Sequence, residues 1–240
     1  MPRPLQKWRV LPHGQLTLID DGLLTVVGEL WMPLGGFPRR MTVARLSDGR
    51  LVIYSAIALD EPEMQQIEHF GIPSFLIVPG DLHRLDAKIW KDRYPGLFVV
   101  APAGARRRVE EVVPVDADDV DFKDANVRYL TVPGTEGHEA ALIVKTHQGT
   151  TLVVNDLIWN VQDRPGFGGW VFHALGLSGR KPFIPFVAKL HSIKDRETLS
   201  AQLQAWAALG GLNRIVVSHG DIVGVEAPLV LRELAHSLAA

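Results

Sequence analysis

The sequence predicts an α/β protein: an αββα sandwich of two facing mixed β-sheets with helices outside. Three observations predict it. Two hairpin signals, far apart in the chain, each join a pair of apolar runs. A βαβ pattern lies between the two β-rich stretches. A helical region with one late strand closes the chain, so each half has its own strands and helices. We expect a single domain over residues 1–240, with an aromatic, Pro- and Gly-rich insert at about 159–192.

The elements follow in order. Residues 15–60 are β-rich. Leu23 to Trp31 is an apolar run, followed by a turn-rich break from Pro33 to Pro38. Met41–Leu46 and Leu51–Ser55 flank Ser47-Asp48-Gly49-Arg50, and an Asp-Gly between alternating runs is a strong hairpin signal. Glu61-Pro62 opens a helix to about Phe70, with Gly71 as its stop. A strand at 75–78, a helix at 82–94 and a strand at 97–101 form the βαβ unit. Arg106-Arg107-Arg108 is expected in a solvated turn, and the acidic stretch from Asp116 to Asp121 in a loop. A strand at 127–132 precedes a second hairpin, Ala140–Val144 with Thr151–Val154, around Gln148-Gly149. The insert is expected as short helices and loops over one end of the molecule. A helix at 195–209, a strand from Arg214 to Ser218 and a helix from about Pro228 complete the chain.

Composition excludes several chemistries. There are no cysteines, so thiolate metal sites, iron–sulfur clusters, disulfides and cysteine nucleophiles are absent. A net charge of -2 gives no reason to expect nucleic acid or an anionic membrane as partner. No apolar run approaches a membrane span, and the first residues lack the apolar core of a signal peptide; we expect a cytoplasmic protein.

The chemistry is concentrated at the ends of strands. Val78-Pro79-Gly80-Asp81-Leu82-His83-Arg84-Leu85-Asp86 follows an apolar run. Asp81 and His83, two apart, leave an extended segment on one side. Asp81 is equally a good helix N-cap, and Asp86 suits a helix dipole without any ligand. Three further segments end a strand in this way: Gly137-His138, Asn155-Asp156 and Ser218-His219-Gly220. In open α/β sheets such ends are where ligands bind. Carboxylate with imidazole suits zinc, iron or manganese better than calcium.

This order and spacing resemble the metallo-β-lactamase superfamily, from about residue 20 to 222. That family has a His-x-His-x-Asp-His loop after a strand, a Gly-His loop, a strand-terminal Asp and a closing His. In the first loop Asp81 stands for the first His, His83 matches the second, Leu85 replaces the Asp, and Asp86 stands for the last His. Pro133-Gly134-Thr135-Glu136-Gly137-His138 resembles the Gly-His loop, with Thr135 at the expected His position. His138 lies three residues later, and Glu136 or Glu139 is its alternative. Val153-Val-Asn-Asp156 and Val216-Val-Ser-His219-Gly220 resemble the last two motifs.

The resemblance implies metal ligands at Asp81, His83, His138 and Asp156, with His219 as a further or second-metal ligand and Asp86 as general base. The implied cofactor is a divalent metal ion, zinc first and iron or manganese as alternatives. The implied activity is a hydrolase that uses a metal-bound hydroxide on an ester, lactone, thioester or phosphoester. Losses at Leu85 and Thr135 also fit a fold relative with a degenerate metal site that binds or scaffolds without catalysis. The insert predicts a substrate wall and so a partly apolar small molecule. His13, His69, His147, His191 and His236 are expected at the surface and His173 in packing. Oligomeric state is not legible.

Overall fold

Strand residues of this chain alternate between two buried environments, and that alternation builds the sandwich. The computed structural model describes residues 3–32 and 35–239. Strands β1 (Thr17–Asp20), β2 (Leu23–Met32), β3 (Gly35–Arg45), β4 (Arg50–Tyr54), β5 (Ile72–Ile77) and β6 (Phe98–Val100) form one sheet in that spatial order. Strands β7 (Val127–Thr131), β8 (Ala140–Thr146), β9 (Gly149–Asn160) and β10 (Leu212–Gly220) form the other, in the order β10-β9-β8-β7. Both sheets are mixed: β4, β5 and β6 run parallel, as do β9 and β10, and the other neighbours are antiparallel.

On β4, Val52 and Tyr54 point between the sheets, where they meet Leu142, Val153 and Val216. Leu51 and Ile53 point the other way, into a second core. On β10, Val216 faces inward while Ile215 and Val217 face outward. A period of two with both faces apolar requires a helical layer on each outer side. The first sheet is covered by α1 (Glu61–Phe70), α2 (Ala87–Arg93) and α3 (Ala103–Glu110), which contribute Met64, Ile67, Trp90 and Val109. The second is covered by α6 (Arg196–Ala207) and α7 (Ala227–Ala239), which contribute Leu203, Trp206 and Leu231. Between β9 and α6 lie the short helices α4 (Gly166–Ala174) and α5 (Phe186–His191). The predicted αββα sandwich is the observed one.

Several local expectations are corrected. The helix expected at 82–94 begins only at Ala87. Residues 81–82 and 85–86 form turns instead, and Asp86 at the N-cap of α2 makes no side-chain cap, its carboxylate being engaged by a buried partner described below. The arginine run lies on α3, where Arg106 pairs with Glu110 one turn on and donates to the Val115 carbonyl. The break expected from Pro33 to Pro38 narrows, since β3 begins at Gly35; Pro33 and Leu34 lie outside the described residues. Gly71 does end α1, but its backbone is extended (φ 170°). Glycine is required there by a close approach: a side chain would collide with the Gly49 carbonyl of the β3–β4 turn.

Candidate metal centre

Asp156 was expected at a strand end, but β9 runs past it to Asn160. Val217 pairs with Val154 and His219 with Trp159, so β9 takes five residues where β10 takes two. This irregularity turns Asp156 and His219 toward each other. Gly220 follows His219 at φ 99°, with no room for a side chain against the Asn160 backbone. β3 of the facing sheet holds the same place: Arg40 donates from Nε to the Val217 carbonyl (3.0 Å) and from Nη2 to the Gly220 carbonyl (2.7 Å).

Three atoms converge at this point. His219 Nε2 lies 2.9 Å from Asp156 Oδ1, His83 Nε2 lies 3.4 Å from the same oxygen, and the two Nε2 atoms are 3.1 Å apart. Each imidazole is held from behind. His219 Nδ1–H donates to the Pro38 carbonyl (2.7 Å), which leaves Nε2 with its lone pair. His83 Nδ1 meets the Ser55 hydroxyl at 2.7 Å. Trp159 Nε1–H donates to Asp156 Oδ1 (3.3 Å), and the rings of Phe37 and Trp159 pack on His219. Burial pushes the His83 imidazole below its ordinary pKa against the opposing pull of Asp156, which favours the neutral, ligating form. Burial alone would raise Asp156, but the charges and hydrogen bonds of His83 and His219 hold it well below the usual carboxylate range.

A second set starts from the same loop, with Asp81. His191 Nε2 sits 3.2 Å from Asp81 Oδ2, and His138 completes a group whose ligand-capable atoms fall within 4.8 Å of one another. His138 Nδ1 is buried with no hydrogen-bond partner. Glu139, the alternative to His138, is instead fully buried beneath the loop. Its carboxylate accepts from Asn155 (3.2 Å) and Ser192 (3.3 Å), and burial together with the Asp156 charge pushes its pKa well above the ordinary value. Thr135, at the family's His position, is buried and donates to the Val132 carbonyl.

The structure therefore sorts the expected residues differently. Asp81, His83, His138 and Asp156, expected around one ion, divide into His83/Asp156/His219 and Asp81/His138/His191. His219 joins the first set directly. Asp86, expected as the general base, joins neither: it is buried, ion-paired with Arg39, and accepts from the Ala58 N–H (3.0 Å). His191, expected at the surface, is half-exposed and faces Asp81. Ser55 and the Pro38 carbonyl had no signal in the sequence, since their roles depend on pairings across the sheet.

Each set offers two imidazoles and one carboxylate, the donor types of zinc, iron and manganese sites. The unpartnered nitrogen of His138 and the rear hydrogen bonds of His83 and His219 fit a bound cation.

An αββα sandwich with His and Asp side chains gathered at one edge of both sheets defines a class of fold with a metal-capable site. Comparison of structures identifies it. The chain has the metallo-β-lactamase fold: it aligns with the metallo-β-lactamase FIM-1 from Pseudomonas aeruginosa, in its mono-zinc form, at a TM-score of 0.61 and 15% identity, over 95% of this chain and 96% of that one. It aligns with the DIM-1 metallo-β-lactamase exposed to ceftazidime at a TM-score of 0.64 and 11% identity, over 97% and 100%. No family model and no curated protein matches the sequence.

Proposed function

We propose that the chain is a metal-dependent hydrolase of esters, lactones, thioesters or phosphoesters, with zinc the first candidate metal. The observation that carries this reading is the convergence of His83 Nε2, His219 Nε2 and Asp156 Oδ1 within 3.4 Å, each imidazole braced from behind. A divalent cation, when bound, supplies Lewis acidity and a water acidified toward neutral pH. The chain's own residues do the rest. Asp156 stays ionised between two imidazoles. Asp81, His138 and His191 supply a second set in spite of Leu85, because His191 comes from the insert rather than from the family's loop. From the insert, Trp159 packs on the His219 ring and His191 faces Asp81, which supports a partly apolar substrate. Asp86 takes no proton in this scheme, since its carboxylate is committed to Arg39 and Ala58.

One observation favours a second reading. Leu85 is buried where the resemblance expects a carboxylate, as in a fold relative that binds without catalysis. Metal content by plasma mass spectrometry, on protein purified without an affinity tag, tests both alongside an ester, lactone and phosphodiester panel. The hydrolase reading expects metal in the wild type, less in Asp156→Ala, and turnover that falls with it. Metal without turnover on any substrate class supports the second reading. No metal after incubation with zinc, manganese and iron rejects the hydrolase reading and supports the second, a degenerate site.

A further inference from the structure

The segment between β9 and the N-cap of α6, residues 161–194, differs in charge from the rest of the chain. It holds Arg164, Arg180, Lys181, Lys189 and Lys194 against Asp163 alone, a net +4. The whole chain is -2, so the remainder is -6. The near-neutral total conceals this asymmetry, and it removes the ground on which an anionic membrane was not expected.

The same segment exposes large apolar side chains. On α4, Phe167 and Trp170 stack on one another (centroids 5.9 Å apart) and are 80% and 64% exposed. The opposite side of α4, with Gly169 and Phe172, is buried. On α5, Phe186 and Leu190 are one turn apart and 69% and 71% exposed, while Ala188 is buried. Both helices are thus seated on the body by one side and present aromatic or aliphatic groups on the other, within a segment that carries five lysines and arginines. Arg164 donates to the Gly36 carbonyl (2.8 Å), which ties the start of α4 to the β2–β3 hairpin; exposed Trp31 is the register partner of Gly36.

We propose that the α4–α5 face docks on an anionic lipid bilayer. Tryptophan and phenylalanine with flanking basic residues are the composition of helices that lie in a membrane interface. The charge chooses this occupant over a second copy of the chain, because a symmetric contact would bring together two segments of net +4. The same field orients the molecule, since a negative surface attracts the segment and repels the remaining -6. No helix among the described residues is long and apolar enough to span a bilayer, so the attachment is peripheral. The inference does not require the metal centre to be catalytic.

Co-sedimentation with vesicles tests it, using vesicles of phosphatidylcholine alone or of equal parts phosphatidylcholine and phosphatidylserine, at low and high salt. Untagged wild type is compared with Phe167→Ser/Trp170→Ser and with Arg180→Glu/Lys181→Glu. All four side chains are exposed, and matching thermal melting curves establish that the fold is kept. The wild type is expected to partition at least about tenfold more strongly onto the phosphatidylserine vesicles and to be released by salt. Each double variant is expected to lose on the order of tenfold. Absent or equal binding to the two vesicle types overturns the proposal, as does unchanged binding of the variants. Self-association that Phe167→Ser/Trp170→Ser abolishes, without vesicle binding, overturns it in favour of a second copy.

Discussion

Ser55 presents its hydroxyl 2.7 Å from Nδ1 of His83, and it does so from a left-handed backbone, φ 56°. A serine in that region costs about 1–2 kcal/mol relative to ordinary conformations. Such strain beside a ligand-capable imidazole points to a positioning role. The hydroxyl fixes the ring orientation that turns Nε2 toward Asp156 and His219.

Two substitutions separate the strain from the hydrogen bond. Ser55→Ala removes the hydroxyl and keeps the strain. We expect metal affinity to fall about 10–100-fold, the usual effect of losing a group that supports a ligand. Ser55→Gly removes both. We expect the same loss of affinity, with metal-free stability raised by about 1 kcal/mol over Ser55→Ala. Metal competition titrations and denaturant melts read the two effects independently. Equal affinity in all three proteins would show that Ser55 does not position His83.

Arg39 and Asp86 form a buried ion pair between β3 and the N-terminus of α2. Removing one partner leaves an uncompensated charge in the interior. We expect Asp86→Ala to cost about 3–5 kcal/mol, and Arg39→Met with Asp86→Leu to restore most of that loss. A residue acting only as a proton acceptor would show neither effect. Urea unfolding of the three proteins decides the matter, and an unchanged midpoint in Asp86→Ala would return that residue to the list of candidate bases.

The regular parts of this fold were legible because their signals are local. Glu61-Pro62 begins α1 and the Asp48-Gly49 turn joins β3 to β4, as expected from neighbouring residues alone. The αββα layering was legible from the order of β-rich, βαβ and helical stretches, which gives each half its own hairpins and helices. Other features depend on partners distant in sequence. Asp86 looked like a carboxylate complementing a helix dipole because nothing nearby reveals Arg39, 47 residues away. His191 looked like a surface residue because α5 reaches Asp81 only after the insert folds back, across 110 residues. Asp156 and His219 carried a signal, since each follows an apolar run. The register irregularity that joins them carried none. α3 was missed because Pro102 marked the end of a strand and the arginines concealed the apolar spacing of Ala105 and Val109.

His191 completes the Asp81 set from a half-exposed position, so its removal should leave the core untouched. We expect His191→Ala to melt within about 0.5 kcal/mol of wild type. We expect its binding of a second metal equivalent to weaken by more than the roughly 10–100-fold that loss of a merely supporting group causes. The His83/Asp156/His219 set should still bind its own equivalent. Isothermal titration with zinc, run on metal-stripped wild type and variant, resolves the two equivalents. Loss of the first equivalent instead of the second would mean that the six groups act as a single site.

Asp124 joins the two halves of the sandwich through three backbone donors: Ser47 N–H (2.7 Å) at the β3–β4 turn, and Asn126 N–H (2.8 Å) and Val127 N–H (3.0 Å) at the start of β7. Burial alone would raise its pKa, but these hydrogen bonds hold it below the ordinary carboxylate value of 3.8. The sign of the pH dependence follows. A carboxylate with a depressed folded pKa stabilises the protein above its unfolded pKa, and the contribution is lost as pH falls through the folded value. We therefore expect Asp124→Ala to cost about 0.5–1.5 kcal/mol at neutral pH, the net worth of hydrogen bonds whose donors water can reach. The gap to wild type should hold down to the ordinary carboxylate pKa and narrow below it as Asp124 takes up its proton. Denaturant midpoints of the two proteins, measured from neutral pH into the acid range, give the curve. A gap that stayed constant through the acid limb would assign the stabilisation to packing of the side chain rather than to its charge.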